Sequence, residues 1–341
     1  MKTKHSLGTK LNPTKPIAYT LLRELADGQF HSGTDLAQKA GISRASVWNA
    51  VEQIEAMGLL VYRIRGRGYR LAESLLMLDR EKIGRLLGEH SPFGVIFLDE
   101  VESTNTFLLE QAQQRAPHAT VVVAEWQRGG RGRLNRTWYA KPCGSLTFSL
   151  LWRFNQGAGA LSGLSLAVGL ALVRALQAFG LPEVGLKWPN DVLWRGQKIA
   201  GILIEMQGEA FGPSAVVIGV GVNVSLDTTI KALINQPSAD LSILAAGAAV
   251  DRNELLACLL TQLNIVLIDF EKFGFLALKQ EWQRWHWYQD KRVRMTLPSG
   301  EVNTGWARGV DDSGALILEI DQKLKSYHSG DVSLRAEEVS S

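Results

Sequence analysis

Cysteine is nearly absent. Cys143 and Cys258 are the only two in 341 residues and have no C-x-x-C spacing. That excludes a disulfide framework or cysteine zinc site and suits a reducing, cytoplasmic setting. Long apolar runs are missing too. The most apolar stretch, "LSGLSLAVGLALVRALQAFGL", is broken by Arg174 and by glycines and reads as a buried helix, not a membrane span. The opening "MKTKHSLGTKLNPTKP" is polar and basic with no apolar run behind it, so no secretory signal is expected. No strand-to-helix G-x-G-x-x-G is present, so a Rossmann dinucleotide site is not indicated. Internal repeats and low-complexity segments are also lacking.

What remains is a globular composition, 46% apolar and 21% charged, long enough for two or three domains. The net charge is only +3, unevenly spread. Residues 1–75 hold eleven Lys/Arg against six Asp/Glu, whereas residues 76–341 hold 26 against 28. A basic head on a near-neutral body points to a polyanion at the head alone.

A flexible tail is expected over 1–14, then a helix in "PIAYTLLRELADG". In "SGTDLAQKAGISRASVWNAVEQIEAMG", Ser32 and Ser43 are natural N-caps, Gly41 supplies a turn and Gly58 a stop. With "LLVYRIRGRGYRL" as a strand, an Arg/Gly tip and a returning strand, residues 15–75 read as a winged helix-turn-helix. A three-helix packing module is the plain alternative. Ser32, Ser43, Arg44, Ser46 and Asn49, with Arg65 and Arg67 on the wing, are polar types that reach phosphates and base edges, so a DNA reader is expected.

Beyond Asp79 the texture becomes α/β. "FGVIFLDEVES", "ATVVVAEW", "GSLTFSLLW", "KIAGILIEM" and "SAVVIGVGVNV" predict strands, and helical patterns fall near 103–114, 162–180 and 253–273. This body is assigned to 79–288. Short strands with Ser-Gly and Asp-Ser-Gly turns predict a small β-barrel cap over 289–341.

Three motifs in the body carry chemistry. "GGRGRLNRTW", residues 129–138, lies between two predicted strands, where an RGG-type disordered tail is out of place. Glycines let backbone approach a ligand and guanidinium forks grip phosphate or carboxylate; a nucleic-acid patch is the alternative. "LKWPND", residues 186–191, offers Lys187 as a point charge beside Asn190 and Asp191, which are oxygen ligands of the kind Mg²⁺ takes; alone, the lysine would read as a surface residue. "ESTN", residues 102–105, opens a helix, either as a cap or as a polar head-group site.

"ESTN", "GGRGRLNRTW", "KWPND", "KIAGILIE" and "GVGVN" occur in the order found in biotin protein ligases, and with a winged helix ahead of them the chain resembles the bifunctional type that also represses transcription. The resemblance spans roughly 15–338. One departure is visible: Asn135 stands where the family loop has its third glycine, and asparagine tolerates positive φ. The resemblance implies an α+β fold: a winged helix-turn-helix, a ligase domain of the biotin/lipoate type and an SH3-like barrel. It further implies that biotin's carboxylate attacks the α-phosphorus of ATP, with Mg²⁺, to give biotinyl-5′-adenylate. A lysine of biotin carboxyl carrier protein then takes the biotinyl group.

In that scheme Ser103, Thr104, Asn105 and Gln127 hold biotin's ureido end. Gly130, Arg131, Gly132 and Arg133 close over biotin and phosphates beside Arg136, and Trp138 walls the pocket. The catalytic residues are Lys187, Arg131 and Arg133; Lys187 serves the carboxylate and α-phosphate. Asn190 and Asn223 attend the nucleotide, and Asp191 attends Mg²⁺. The loop would be ordered by its ligand, and "SLDTTIKALINQPSADL" would close over the adenylate. A homodimer formed on adenylate binding would reach operator DNA. A lipoate–protein ligase, or a ligand-sensing repressor without catalysis, are the alternatives.

Overall fold

In the computed structural model the described residues are 17–208, 213–243, 250–297, 299–328 and 333–336. The tail expected over 1–14 lies outside them. The chain divides into two units, Met1–Met77 and Leu78–Ser341.

The first unit is a winged helix-turn-helix: α1 (Ile17–Leu25), α2 (Gly33–Ala40), α3 (Arg44–Ala56) and an antiparallel hairpin of β1 (Val61–Ile64) and β2 (Gly68–Leu71). Ser32 and Ser43 cap α2 and α3, their side chains accepting from Asp35 N and Ser46 N. Gly41, at φ 65, makes the turn between the two helices. Tyr19, Leu22, Leu36, Val47, Val51 and Ile54 form a closed core of their own. That core lets so small a unit stand as one cooperative body.

The second unit is built on a seven-stranded sheet ordered β3-β4-β5-β9-β8-β7-β6. In chain order its elements are α4 (Arg80–Leu87), β3 (Gly94–Val101), α5 (Thr104–Gln113), β4 (Thr120–Gln127), β5 (Ser145–Phe154), α6 (Leu164–Ala178), β6 (Val184–Lys187), β7 (Asp191–Trp194), β8 (Gln197–Gly208), β9 (Ser214–Asn223), α7 (Thr228–Leu233), α8 (Arg252–Phe273) and α9 (Leu276–Trp285). Only β3 and β4 run parallel. The apolar stretch flagged above is α6, with eleven of its 15 residues buried. A helix apolar on every side must be enclosed, and the sheet and α8 enclose it. Helix α8 is long and apolar enough to cross a membrane by composition alone, yet half of it faces this core.

A five-stranded antiparallel sheet, β13-β12-β11-β10-β14, forms the C-terminal cap: β10 (Arg292–Thr296), β11 (Val302–Val310), β12 (Leu316–Ile320), β13 (Lys323–Tyr327) and β14 (Ser333–Ala336). It is tied to the α/β body by Trp188, fully buried, whose indole N–H donates to Gly314 O at 3.0 Å.

The five expected strands of the body and its three helices are present. Three helices, α4, α7 and α9, and a hairpin were not expected. Helix α4 is only eight residues long and buries a single side chain, Ile83. Helix α9 follows α8 after a break at Gly274 and buries only Leu278 and Trp282. Strands β6 and β7 have four residues each, too few for alternation to register.

Candidate ligand cavity

Strands β8 and β9 pair so that Gly201 lies opposite Gly221 and Leu203 opposite Gly219. The alternation in "GVGVN" therefore puts glycines on one face and buried valines on the other. Side chains cannot replace these glycines. A Cβ on Gly221 would come 2.7 Å from the Trp138 ring, and one on Gly219 would come 2.2 Å from Asn105 Oδ1. The bare backbone is the floor of a cavity of about 440 Å³, a size suited to a small molecule.

One end of the cavity is neutral and polar. Ser103 caps α5, as the plain reading of "ESTN" required, which brings Thr104 and Asn105 to the cavity wall. Gln127 Oε1, at the end of β4, accepts from Thr104 N at 2.7 Å and from Thr104 Oγ1 at 2.8 Å. The Ser149 hydroxyl stands 2.8 Å from Thr104 Oγ1 and 2.6 Å from Asn105 Oδ1. Asn105 Nδ2 donates to Glu205 Oε2 at 2.7 Å. Buried amides and hydroxyls satisfied in this way are held in fixed orientation.

The arginine loop folds over this space as a narrow turn. Gly132 N donates to Arg136 O and Trp138 N to Gly130 O, both at 2.7 Å. Asn135 has φ 54, the left-handed conformation expected where the family has glycine; Leu134 shares it at φ 58, which its sequence did not suggest. The loop has protein partners of its own. Arg131 Nη2 lies 3.0 Å from Glu205 Oε1 and 3.1 Å from Thr106 Oγ1. Arg133 Nη1 reaches Asn190 Oδ1 at 3.5 Å, a weak contact. The Trp138 ring covers the Gly201–Gly221 floor, with its indole N–H buried and unpartnered.

The opposite end is basic. Lys198, the first lysine of "KIAGILIE", lines the cavity, its Nζ 5.6 Å from the Trp138 ring centroid and 2.6 Å from Asp191 Oδ1. Lys187 does not line the cavity. It lies behind Asp191, with its Nζ 3.6 Å from Oδ2. Burial pushes the Lys187 ammonium below its usual pKa, against the pull of Asp191; Lys198 and Arg335 add to the lowering. Burial works to raise Asp191, but Lys198 and Lys187 outweigh it and hold the carboxyl below the usual carboxylate range. Arg335, from β14, also reaches the cavity. Among the lining residues five side chains are basic (Arg131, Arg133, Arg136, Lys198, Arg335) and one, Asp191, is acidic. That surplus suits a polyanion.

Asn190 and Asn223 line the cavity with their amides partly spent: Nδ2 of Asn190 donates to Ile202 O at 2.8 Å, and Nδ2 of Asn223 to Ala239 O at 3.1 Å. From the long polar segment, Ile234, Asn235, Gln236 and Ser238 form a further wall. Ser149, Lys198, Glu205 and Arg335 are members that sequence reasoning missed; Lys198 alone had a signal, its place in a quoted motif.

In the first unit, the exposed start of α3 carries Arg44, Ser46 and Asn49, and Arg65 and Arg67 are exposed on the wing. Ser32 and Ser43 are occupied as caps. The Arg67 guanidinium sits 4.2 Å from the Phe30 ring centroid.

Comparison with known proteins agrees in all three regions. Residues 97–223 match the biotin/lipoate A/B protein ligase family, 290–335 the biotin protein ligase C terminal domain and 18–70 an HTH domain. The chain is 35% identical to the bifunctional ligase/repressor BirA of Salmonella typhimurium over 323 residues, 94% of this chain and 98% of that protein. It is 33% identical to the Escherichia coli bifunctional ligase/repressor BirA, over 93% and 97% of the two chains. The biotin protein ligase of Aquifex aeolicus, solved in complex with biotin and ATP, superposes with a TM-score of 0.61 at 29% identity, covering 72% of this chain and 99% of that one. A cavity polar at one end and basic at the other thus occurs in a chain that belongs to the bifunctional biotin–protein ligase/repressor family.

Proposed function

We propose that the chain activates biotin with ATP to biotinyl-5′-adenylate and transfers the biotinyl group to a lysine of biotin carboxyl carrier protein. The observation that carries this is the make-up of one cavity: amides and hydroxyls held in fixed orientation on its wall, and among its lining side chains five basic groups against one acid. The ureido ring goes to Ser103, Thr104, Asn105 and Gln127. The carboxylate and phosphates go to Arg131, Gly132, Arg133 and Arg136, with the adenine or biotin face against Trp138. Negative charge gathering on the α-phosphate and the attacked carboxylate is met by Lys198, the ammonium that faces the ligand space. Lys187 acts through Asp191, holding the carboxylate that in turn fixes Lys198. Asn190 and Asn223 border the nucleotide.

Among the described residues no three His, Cys, Asp or Glu gather into a metal site. Asp191, the one acidic side chain lining the cavity, is already paired with Lys187 and Lys198, so a Mg²⁺ would be held mainly by the nucleotide's phosphates and little by this carboxylate. Bound there, the ion would neutralise phosphate charge.

We further assign 15–75 to operator DNA, 79–288 to the ligase reaction and 289–341 to the cap, in a cytoplasmic protein that dimerises when adenylate is bound. Incubating the full chain with ATP, Mg²⁺, biotin and a carrier domain, then weighing the carrier intact, tests the ligase reading. A gain of one biotinyl group is expected, and an unmodified carrier would overturn it.

A further inference from the structure

We infer that Glu205 is a positioning residue and a latch: it fixes the Asn105 amide in the cavity wall and holds the Arg131 guanidinium until an anionic group displaces it. For the ligand's identity this rests on the biotin reading above. The latch itself does not. Asn105 is 3% exposed, and its Nδ2 is spent on Glu205 Oε2 at 2.7 Å and Leu203 O at 3.2 Å. Its carbonyl Oδ1 therefore has one orientation, toward Ser149 at 2.6 Å. The missing Cβ of Gly219 makes room for that amide and for nothing else.

Arg131 Nη2 lies against both carboxylate oxygens of Glu205, 3.0 Å from Oε1 and 3.1 Å from Oε2, the oxygen that also accepts from Asn105. One side chain thus joins the neutral end of the cavity to the loop that covers it. Its two contacts differ in strength. The Asn105 contact is partly buried, on an amide that is itself 3% exposed. The Arg131 pair is open to water, with side chains 42% and 25% exposed, and half-exposed pairs of this kind are weak. A phosphate or carboxylate presented in two-pronged geometry outcompetes it. Glu205 therefore keeps Asn105 throughout the cycle and gives up Arg131 when ligand arrives.

Two variants separate these roles. E205Q keeps a neutral acceptor for Asn105 and drops the charge that holds Arg131, whereas E205A drops both. Trypsin should cut ligand-free E205Q after Arg131 about threefold faster than the unaltered chain. The KM for biotin should rise about tenfold or more in E205A and much less in E205Q, because only the alanine leaves the amide unheld. Adenylate should also leave E205Q more slowly, since nothing competes for Arg131. Equal rises in biotin KM for both variants, or unchanged cleavage in E205Q, would overturn the proposal. If the unaltered chain made no biotinyl adenylate, the ligand reading would fall, and the cleavage of the empty proteins would still decide the latch.

Discussion

Lys187 and Lys198 share the carboxylate of Asp191, at 3.6 and 2.6 Å, and only Lys198 borders the ligand space. Lys198→Ala should slow adenylate formation by about 10²-fold or more, because a preorganised charge at the reacting phosphate is lost. Arginine there should restore little, since its planar fork does not substitute for a compact ammonium. Lys187→Ala should cost less, about tenfold, as Lys198 keeps its partner. Pyrophosphate exchange measures both, and equal losses would return Lys187 to direct contact with substrate. The motif around Lys187 was legible, and the second lysine that shares its carboxylate, Lys198, was not. Trp188, Pro189 and Asn190 turn the chain, and the pairing of β7 with β8 brings in a lysine from the next strand. A linear reading cannot see across a ladder. Asn135 was legible in shape because its tolerance of positive φ is a property of the residue itself. Leu134 at φ 58 was not, since the turn imposes on it a conformation leucine rarely takes.

At the level of elements, α3 separates folding from recognition within one turn of helix. Ser43 accepts from Ser46 N and so stabilises α3, whereas Arg44 is exposed and caps nothing. Ser43→Ala should lower the stability of the first unit by about 1 kcal/mol. Arg44→Ala should leave its melting point in place while weakening DNA binding, with the ligase rate untouched in both. Calorimetry beside a gel-shift assay separates them; equal melting shifts would undo the division of labour. Helix α3, with its serine cap, and helix α6, with its continuous apolar run, were readable because each signal is local. The β6–β7 hairpin was unreadable because its four-residue strands are defined by their neighbours. The glycines of β9 could be read as part of a strand. That their face is the cavity floor follows only from Gly201 on the adjoining strand.

At the scale of the whole molecule, the proposed operator function would need two copies of α3 for a two-fold site, one from each chain of a dimer. Sedimentation should show adenylate shifting the monomer–dimer balance toward dimer, a linkage that runs both ways. Removing 1–75 should abolish operator binding and largely spare adenylate synthesis. A balance indifferent to biotin and ATP would rule out this route to repression. Acid should loosen the join between ligase body and cap. His286, buried and stacked on Trp282 with ring centroids 4.8 Å apart, is pushed down to about 4 by burial. Unfolded, the ring takes its proton near the ordinary 6.5. The unfolded chain alone binds that proton between these values, so the stability is whole above about 6.5 and drains away as pH falls toward 4. The loss should approach about 3 kcal/mol, and His286→Phe should flatten it in denaturant titrations at pH 7 and 5. The same join has a history in synthesis. The indole of Trp188 is made long before Gly314, the carbonyl that receives it, and Arg335 is translated later still. At ordinary ribosomal speeds the interval from Ser103 to Arg335 is roughly 10 to 50 s. Through most of it the emerging polypeptide displays a bare tryptophan and an unroofed cavity, so the nascent chain invites chaperones before it can hold a reactive anhydride.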